Sequence, residues 1–177
     1  MFEALWHSIR GPISAFINLF IPVERASLPQ FSTPEQVGTY LVEKCSYTGD
    51  PLGGLIDFSY HPEKLQYFIS KGITHYYPID CDDFACYAYL ALSRIPNVHA
   101  ELAILAGDNG AYHMICCYVM PSGSYGAAKC GAIDVNGHHH LGSINAPDLC
   151  RHFSAIYNPI GIKFTSAKYS SYPFQTR

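Results

Sequence analysis

The spacing of apolar residues changes along the chain, from a helical rhythm before about residue 94 to alternating strands after it. The first segment repeats apolar residues at spacings of four and three: Phe2, Trp6, Ile9, Ile13, Phe16 and Phe20. This rhythm predicts a packed helix, and Gly11-Pro12 predicts either a kink or two short helices. The apolar face has three alternative partners: its own domain, another protein or a second copy of the chain, and a membrane surface.

Helix boundaries are clear in the next part of the chain. Glu24 to Phe31 reads as a linker, and Ser32-Thr33-Pro34-Glu35 predicts a capped helix that runs to about Lys44. His61-Pro62-Glu63 opens a second helix, which Gly72 ends. A third helical run covers Phe84 to Ser93.

Three strands follow, predicted over Val98 to Ala106, Ala111 to Met120 and Ala128 to Val135. Asp108-Asn109-Gly110 marks the first hairpin turn, and Pro121-Ser122-Gly123 starts the second. We expect a loop over Asn136 to Asn145, then a short helix, Ala146 to Phe153, and a Tyr- and Ser-rich tail. This order predicts an α+β protein, with a helical part packed on an antiparallel sheet.

Composition adds limits on the class of protein. The chain has 177 residues, of which 49% are hydrophobic and only 14% charged, so it is long enough for one domain with a real core. The low charge content favours a surface partly covered by a partner. A net charge of −3 without a basic patch argues against nucleic-acid binding.

The cysteines indicate the compartment. There are seven of them, an odd number, with no C-x-x-C pair, so we expect free thiols in a reducing compartment, most of them buried as small hydrophobic residues. No stretch reaches the roughly 20 apolar residues of a membrane-spanning helix. A signal peptide, and hence secretion, is an alternative for Ile13 to Val23, although Glu3 and Arg10 balance in charge before it.

One cysteine stands where a nucleophile would be activated. Cys81 lies at or within one turn of a helix start, where unpaired backbone N–H groups favour the thiolate. His113 lies on the second predicted strand and Asp134 on the third, which is the order of a Cys-His-Asp triad. In this reading His113 holds the thiolate as an ion pair and protonates the leaving amine, and Asp134 fixes the imidazole tautomer.

These residues carry a family resemblance. The segment from about Ser32 to Asn136 resembles the transglutaminase-like cysteine peptidases of the papain-like superfamily, which include bacterial transglutaminase-like cysteine proteinases. The matching motifs are Asp80-Cys81-Asp82-Asp83-Phe84, Tyr112-His113-Met114 and Ile133-Asp134-Val135-Asn136, although Ile79 stands where the family usually has Gly.

The resemblance implies a papain-like core over residues 32–177, preceded by an N-terminal segment at 1–31. It implies a peptidase or amidase that acts on a protein or peptide through a thioester, with acyl transfer to an amine as a variant of the same chemistry. The oxyanion would be held by the Cys81 backbone N–H and an upstream donor, for which Tyr77, or its neighbour Tyr76, is the candidate by position. No cofactor is required, but the resemblance implies that Asp80 and Asp82 bind calcium in some members, and carboxylates suit that ion.

Two alternatives stay open. The run His138-His139-His140 could hold zinc with Cys130 or Asp134, but consecutive histidines do not easily face one ion, and a solvated loop accounts for them as well. The alternative function is a structural or assembly component of a larger complex, for example a virus particle. Such a protein would keep the fold and dock through residues 1–25 and the aromatic tail.

Overall fold

The computed structural model describes residues 24–49, 59–121 and 128–170. The predicted N-terminal helical segment up to residue 23, most of the second hairpin turn and the last seven residues lie outside this part. Residues 24–31 form neither helix nor strand, as the linker prediction requires, but Leu28 is buried in the core.

Three helices precede the sheet, with short polar caps at their starts. Helix α1 (Pro34–Lys44) is capped by Thr33, whose hydroxyl accepts from the Gln36 N–H, and the Gln36 side chain accepts from the Ser32 N–H. Helix α2 (Pro62–Lys71) ends at Gly72, whose φ of 67° is the left-handed conformation expected there. A 3-10 turn (Thr74–Tyr76) leads to α3 (Cys81–Leu92).

The strands form one antiparallel sheet. They are β1 (His99–Gly107), β2 (Tyr112–Met120), β3 (Lys129–Asp134), β4 (Gly137–Leu141) and β5 (Phe164–Ser170), in the spatial order β4-β3-β2-β1-β5. The first three confirm the predicted strands to within about two residues at each end. Within the described residues the architecture is therefore mixed α+β, as predicted.

Two predictions about the C-terminal third are wrong. The expected loop contains β4, which pairs with β3 directly after a tight turn. The expected tail contains β5, an edge strand paired with β1. Helix α4 (Ala146–Tyr157), between β4 and β5, extends four residues further than predicted and is followed by a 3-10 turn at Asn158–Ile160.

The sheet separates two hydrophobic clusters. Helices α1 and α3 pack on one face, and α4 packs on the other. The neighbours Cys116 and Cys117 belong to opposite clusters, as alternation along a strand requires. In the described part of the chain, no helix is both long enough and apolar enough to cross a membrane.

Candidate active site

Cys81 is the first residue of α3, where the sequence placed it. Asp80 caps the helix by accepting from the Asp82 N–H, and the Asp83 side chain returns to the Asp80 N–H, which completes a capping box. Asp83 is buried and also accepts from the Tyr60 N–H at 2.7 Å. The acidic residues on either side of Cys81 therefore fix the start of the helix that presents the sulfur.

The environment of the Cys81 thiol opposes ionisation. Burial, with the charges of Asp80 and Asp82, raises the pKa of Cys81 to about 12, although the backbone N–H groups of Met114 and of Cys81 itself favour the thiolate. The thiol is therefore protonated at neutral pH in this state. The amide of Met114 also places the sulfur beside the residue that follows His113 in β2.

His113 and Asp134 meet at the ends of their strands, as the triad prediction requires. Nε2 of His113 lies 3.0 Å from Oδ2 of Asp134, and both side chains are buried. A carboxylate can only accept, so Nε2 carries the proton and Nδ1 keeps the lone pair. Within the described residues Nδ1 has no hydrogen-bond partner, so it is the ring nitrogen that can act as a base.

Asp134 is the centre of a larger hydrogen-bond network. Its Oδ1 accepts from Nε2 of His139 at 2.8 Å and from the Asn136 N–H at 2.7 Å. Its Oδ2 also accepts from the Tyr157 hydroxyl at 2.9 Å and from the Asn136 side-chain amide at 3.2 Å. Burial opposes the charge, but the hydrogen bonds from His113 and His139 hold the pKa of Asp134 well below its usual range.

Tyr157 is a site residue that the sequence analysis missed. Its hydroxyl lies 3.0 Å from Nε2 of His113, and it accepts from the Asn136 side chain at 3.0 Å while donating to Asp134. Burial and the Asp134 charge raise the pKa of Tyr157, so the phenol stays neutral. The His113–Asp134 pair is thus covered on one side by the last residue of α4.

The acidic residues around Cys81 form a second feature of the site. One carboxylate oxygen each from Asp80, Asp82 and Asp83 come within 4.8 Å of one another. Oδ2 of Asp82 accepts from the Ser59 hydroxyl at 2.7 Å, whereas Oδ1 of Asp82 is buried without a hydrogen-bond partner among the described residues. Three carboxylates with one unpartnered buried oxygen fit a hard cation such as calcium, and they would supply part of its 6–8 oxygen ligands.

The upstream tyrosines are placed by packing. The Tyr77 ring stacks on Phe68 with centroids 4.0 Å apart, and Tyr76 is 72% exposed beside His75. Among the contacts of the described residues, none joins either ring to Cys81. An oxyanion role for Tyr77 stays a prediction.

The three consecutive histidines lie on β4 and therefore alternate between the faces of the sheet, which corrects the loop prediction. His139 points to Asp134 on the α4 face, while His138 and His140 lie on the α1 face together with Glu35. The predicted zinc sets with Cys130 or Asp134 are not among the metal-sized ligand groups of the described residues.

The distribution of thiols agrees with the prediction of free, mostly buried cysteines. All seven are free; five are buried, and only Cys81 and Cys130 are partly exposed. Comparison of the sequence with protein-family models and with curated proteins gives no match.

Proposed function

We propose that this protein is a cysteine peptidase or amidase with a transglutaminase-like, papain-like core, in which Cys81 is the nucleophile, His113 the general base and Asp134 the residue that orients it. The observation that carries the proposal is the hydrogen bond from Nε2 of His113 to Asp134, which leaves Nδ1 as the candidate base, while the Cys81 sulfur accepts from the backbone amide of Met114, the next residue of β2. The buried, charged Asp134 supports this assignment, because it stabilises the imidazolium that forms when Nδ1 takes a proton.

The raised pKa of Cys81 favours one version of the chemistry. A resting thiolate–imidazolium pair does not fit a thiol whose pKa is about 12. Instead, Nδ1 of His113 removes the thiol proton as the sulfur attacks the amide carbonyl, and the same proton then passes to the leaving amine. The products of this step are the free amine and a thioester on Cys81, which water hydrolyses or a second amine intercepts.

Calcium belongs to this proposal as a modifier of the nucleophile. Asp80 and Asp82, together with Asp83, would hold the ion. Bound calcium would supply positive charge beside carboxylates that now raise the thiol pKa, and so it would favour ionisation of Cys81. The proposed substrate remains a protein or peptide, as the family resemblance implies.

The second candidate, a structural or assembly component that keeps the fold, has one observation in its favour. A protonated, partly buried thiol next to two carboxylates is a poor resting nucleophile. The docking segment that this alternative invokes, residues 1–25, lies almost entirely outside the described residues. The two candidates differ in whether Cys81 accepts an acyl group.

The test is formation of an acyl-enzyme from an activated ester. The full chain is mixed with p-nitrophenyl acetate, quenched in acid and analysed by intact-protein and peptide mass spectrometry. We expect one acetyl group on Cys81, absent in Cys81→Ala and retained in Cys130→Ala, a matched variant of the other partly exposed thiol. His113→Ala should lower the acylation rate by about 10²-fold or more, as expected for loss of a general base.

A matched histidine control is His99→Ala, whose side chain is exposed on β1. It should acylate at the wild-type rate. Two results would refute the enzyme proposal and favour the structural alternative. One is equal acetylation of Cys81 and Cys130, and the other is acetylation of Cys81 in His113→Ala as fast as in wild type. Adding a primary amine during the reaction separates hydrolysis from acyl transfer, because only transfer yields the acetylated amine in proportion to enzyme turnover.

A further inference from the structure

A second cluster of metal-ligand side chains lies on the opposite face of the sheet from the His113–Asp134 pair. Glu35, in the first turn of α1, and His138 and His140, on β4, each offer one ligand atom, and these atoms lie within 4.8 Å of one another. Two imidazoles and one carboxylate form a donor set that suits zinc, unlike the all-carboxylate group beside Cys81.

The backbone brings these three residues together for identifiable reasons. His138 and His140 are two residues apart on a strand, so their side chains share a face, and their ring centroids are 4.6 Å apart. Helix α1 approaches this face closely at Gly38, where an added Cβ would lie 2.7 Å from Cβ of His138. The contact sets the position of Glu35 one turn earlier in the helix, and its Oε1 lies 4.0 Å from Nε2 of His138.

The ligand atoms need only a small adjustment to enclose an ion. Ligands about 2.0–2.1 Å from a tetrahedral zinc lie roughly 3.3 Å from one another, so the separations here, all within 4.8 Å, must shorten by about 1.5 Å at most. Glu35 and His140 are both exposed, so the site is open to solvent.

The fixed member of the cluster is His138. The Tyr118 hydroxyl lies 2.5 Å from Nε2 of His138, and the Tyr118 ring fits over Gly131, where an added Cβ would lie 2.6 Å from the nearest ring carbons. A metal-ligating histidine usually has its other ring nitrogen hydrogen-bonded in this manner. If zinc binds Nδ1 of His138, Tyr118 orients the ring through its hydrogen bond to Nε2.

The chemistry of the three side chains suits zinc, because an imidazole nitrogen and a carboxylate oxygen are among the ligands that this ion prefers.

We propose that Glu35, His138 and His140 bind a zinc ion that fastens α1 to strand β4. The ion would be a structural element on the α1 face of the sheet. It is independent of the acyl-transfer chemistry proposed for Cys81 and His113, and the proposal does not require the protein to be an enzyme.

The test measures metal binding by the full chain after treatment with a chelator. Isothermal titration with Zn²⁺ should give one site that is weakened about tenfold or more in Glu35→Gln and in His140→Ala. Glu43→Gln, on the exposed side of the same helix, and His99→Ala, on exposed β1, are the matched controls and should bind as wild type does. Glu35 and His140 are exposed, so both variants should fold, and circular dichroism checks this.

Two further arms distinguish other sites for the metal. Substitution of Co²⁺ should give a spectrum without thiolate-to-cobalt charge-transfer bands, because the proposed ligands contain no sulfur. Asp82→Asn should leave zinc affinity unchanged, because the acidic group near Cys81 is a different site. Any of three results would overturn the proposal. They are a zinc affinity that is the same in Glu35→Gln and His140→Ala as in wild type, a thiolate band with cobalt, and loss of zinc binding in Asp82→Asn.

Discussion

Replacing Asp134 by Asn tests the most connected side chain of the site with almost no change in shape. Asp134 is fully buried, and its two oxygens accept five hydrogen bonds, from His113, His139 and Tyr157 and twice from Asn136. Asn keeps one acceptor oxygen and replaces the other with an N–H₂ group, which only donates. Some donors that now point at Asp134 must therefore lose their acceptor.

The size of the effect follows from which oxygen is lost. If the amide nitrogen takes the Oδ1 position, it faces two donors, His139 and the Asn136 backbone N–H. His139 can change tautomer and accept, but the backbone N–H cannot. A hydrogen bond to a charged group contributes about 1.5–3 kcal/mol, and an unsatisfied buried donor costs a similar amount, so we expect a loss of about 2–5 kcal/mol in the free energy of unfolding.

Urea unfolding followed by circular dichroism measures this difference. Because the pKa of Asp134 is lowered in the folded state, its contribution to stability is complete above the unfolded-state pKa of about 3.9 and is lost as the pH falls through the folded-state pKa. The difference between wild type and Asp134→Asn should therefore be as large at pH 5 as at pH 7, and it should shrink only below about pH 4.

The matched control is Asp108→Asn, in the exposed turn between β1 and β2, which should change stability by no more than about 0.5 kcal/mol. A difference below about 1 kcal/mol for Asp134→Asn would show that the network around Asp134 does not contribute as described. A difference that disappears between pH 7 and pH 5 would show that Asp134 is not held as a charged group.

Three further predictions concern single side chains. Tyr157→Phe keeps the ring but removes a hydrogen-bond donor to Asp134 and a contact with His113. It should slow acetylation of Cys81 by about tenfold, while the free energy of unfolding measured in urea should fall by only about 1–2 kcal/mol. Asp80→Asn keeps the helix cap but removes a charge that raises the Cys81 pKa, so iodoacetamide should alkylate Cys81 faster in this variant than in wild type at pH 8. In wild type the alkylation rate of Cys81 should rise about tenfold per pH unit from pH 7 to 9, and a plateau in this range would contradict the raised pKa. Gly38→Ala forces a Cβ to within 2.8 Å of the His138 backbone nitrogen, so the free energy of unfolding measured in urea should fall by about 1–3 kcal/mol. The control Gly142→Ala, whose Cβ would meet nothing within 4 Å, should not lower it, and equal effects of the two changes would contradict the close approach of α1 to β4.

Local signals in the sequence were sufficient for the first part of the fold. His61-Pro62 and Gly72 bound α2 because a cap, a proline in the first turn and a left-handed glycine act within one turn of the chain. The three central strands alternate strongly enough to be recognised without their partners. For the same reason, Cys81, His113 and Asp134 could be placed at a helix start and on two strands, and the hydrogen bond between His113 and Asp134 agrees with that placement.

The missed elements depend on signals of two other kinds. Strand β4 is rich in histidine and has no apolar run, but Asn136-Gly137 is a hairpin signal that could have revealed it, and Gly137 has a φ of 105°. Strand β5 is largely exposed and pairs with β1, about 60 residues earlier, so its stability depends on a distant partner. Tyr157 could have been reached by extending α4 to the residue before Asn158-Pro159.

The convergence of five hydrogen bonds on Asp134 has a consequence for how such a site persists through evolution. The groups that would orient the proposed base also join β2, β3, β4 and the end of α4, so a lineage that did not need the proposed reaction would still be selected to keep them for folding. Cys81 is different, because its sulfur accepts no such set of bonds and could be replaced at little cost in stability. Among divergent copies of this fold, the residue at position 81 would therefore report whether the proposed chemistry is retained, whereas His113 and Asp134 would report only a retained fold.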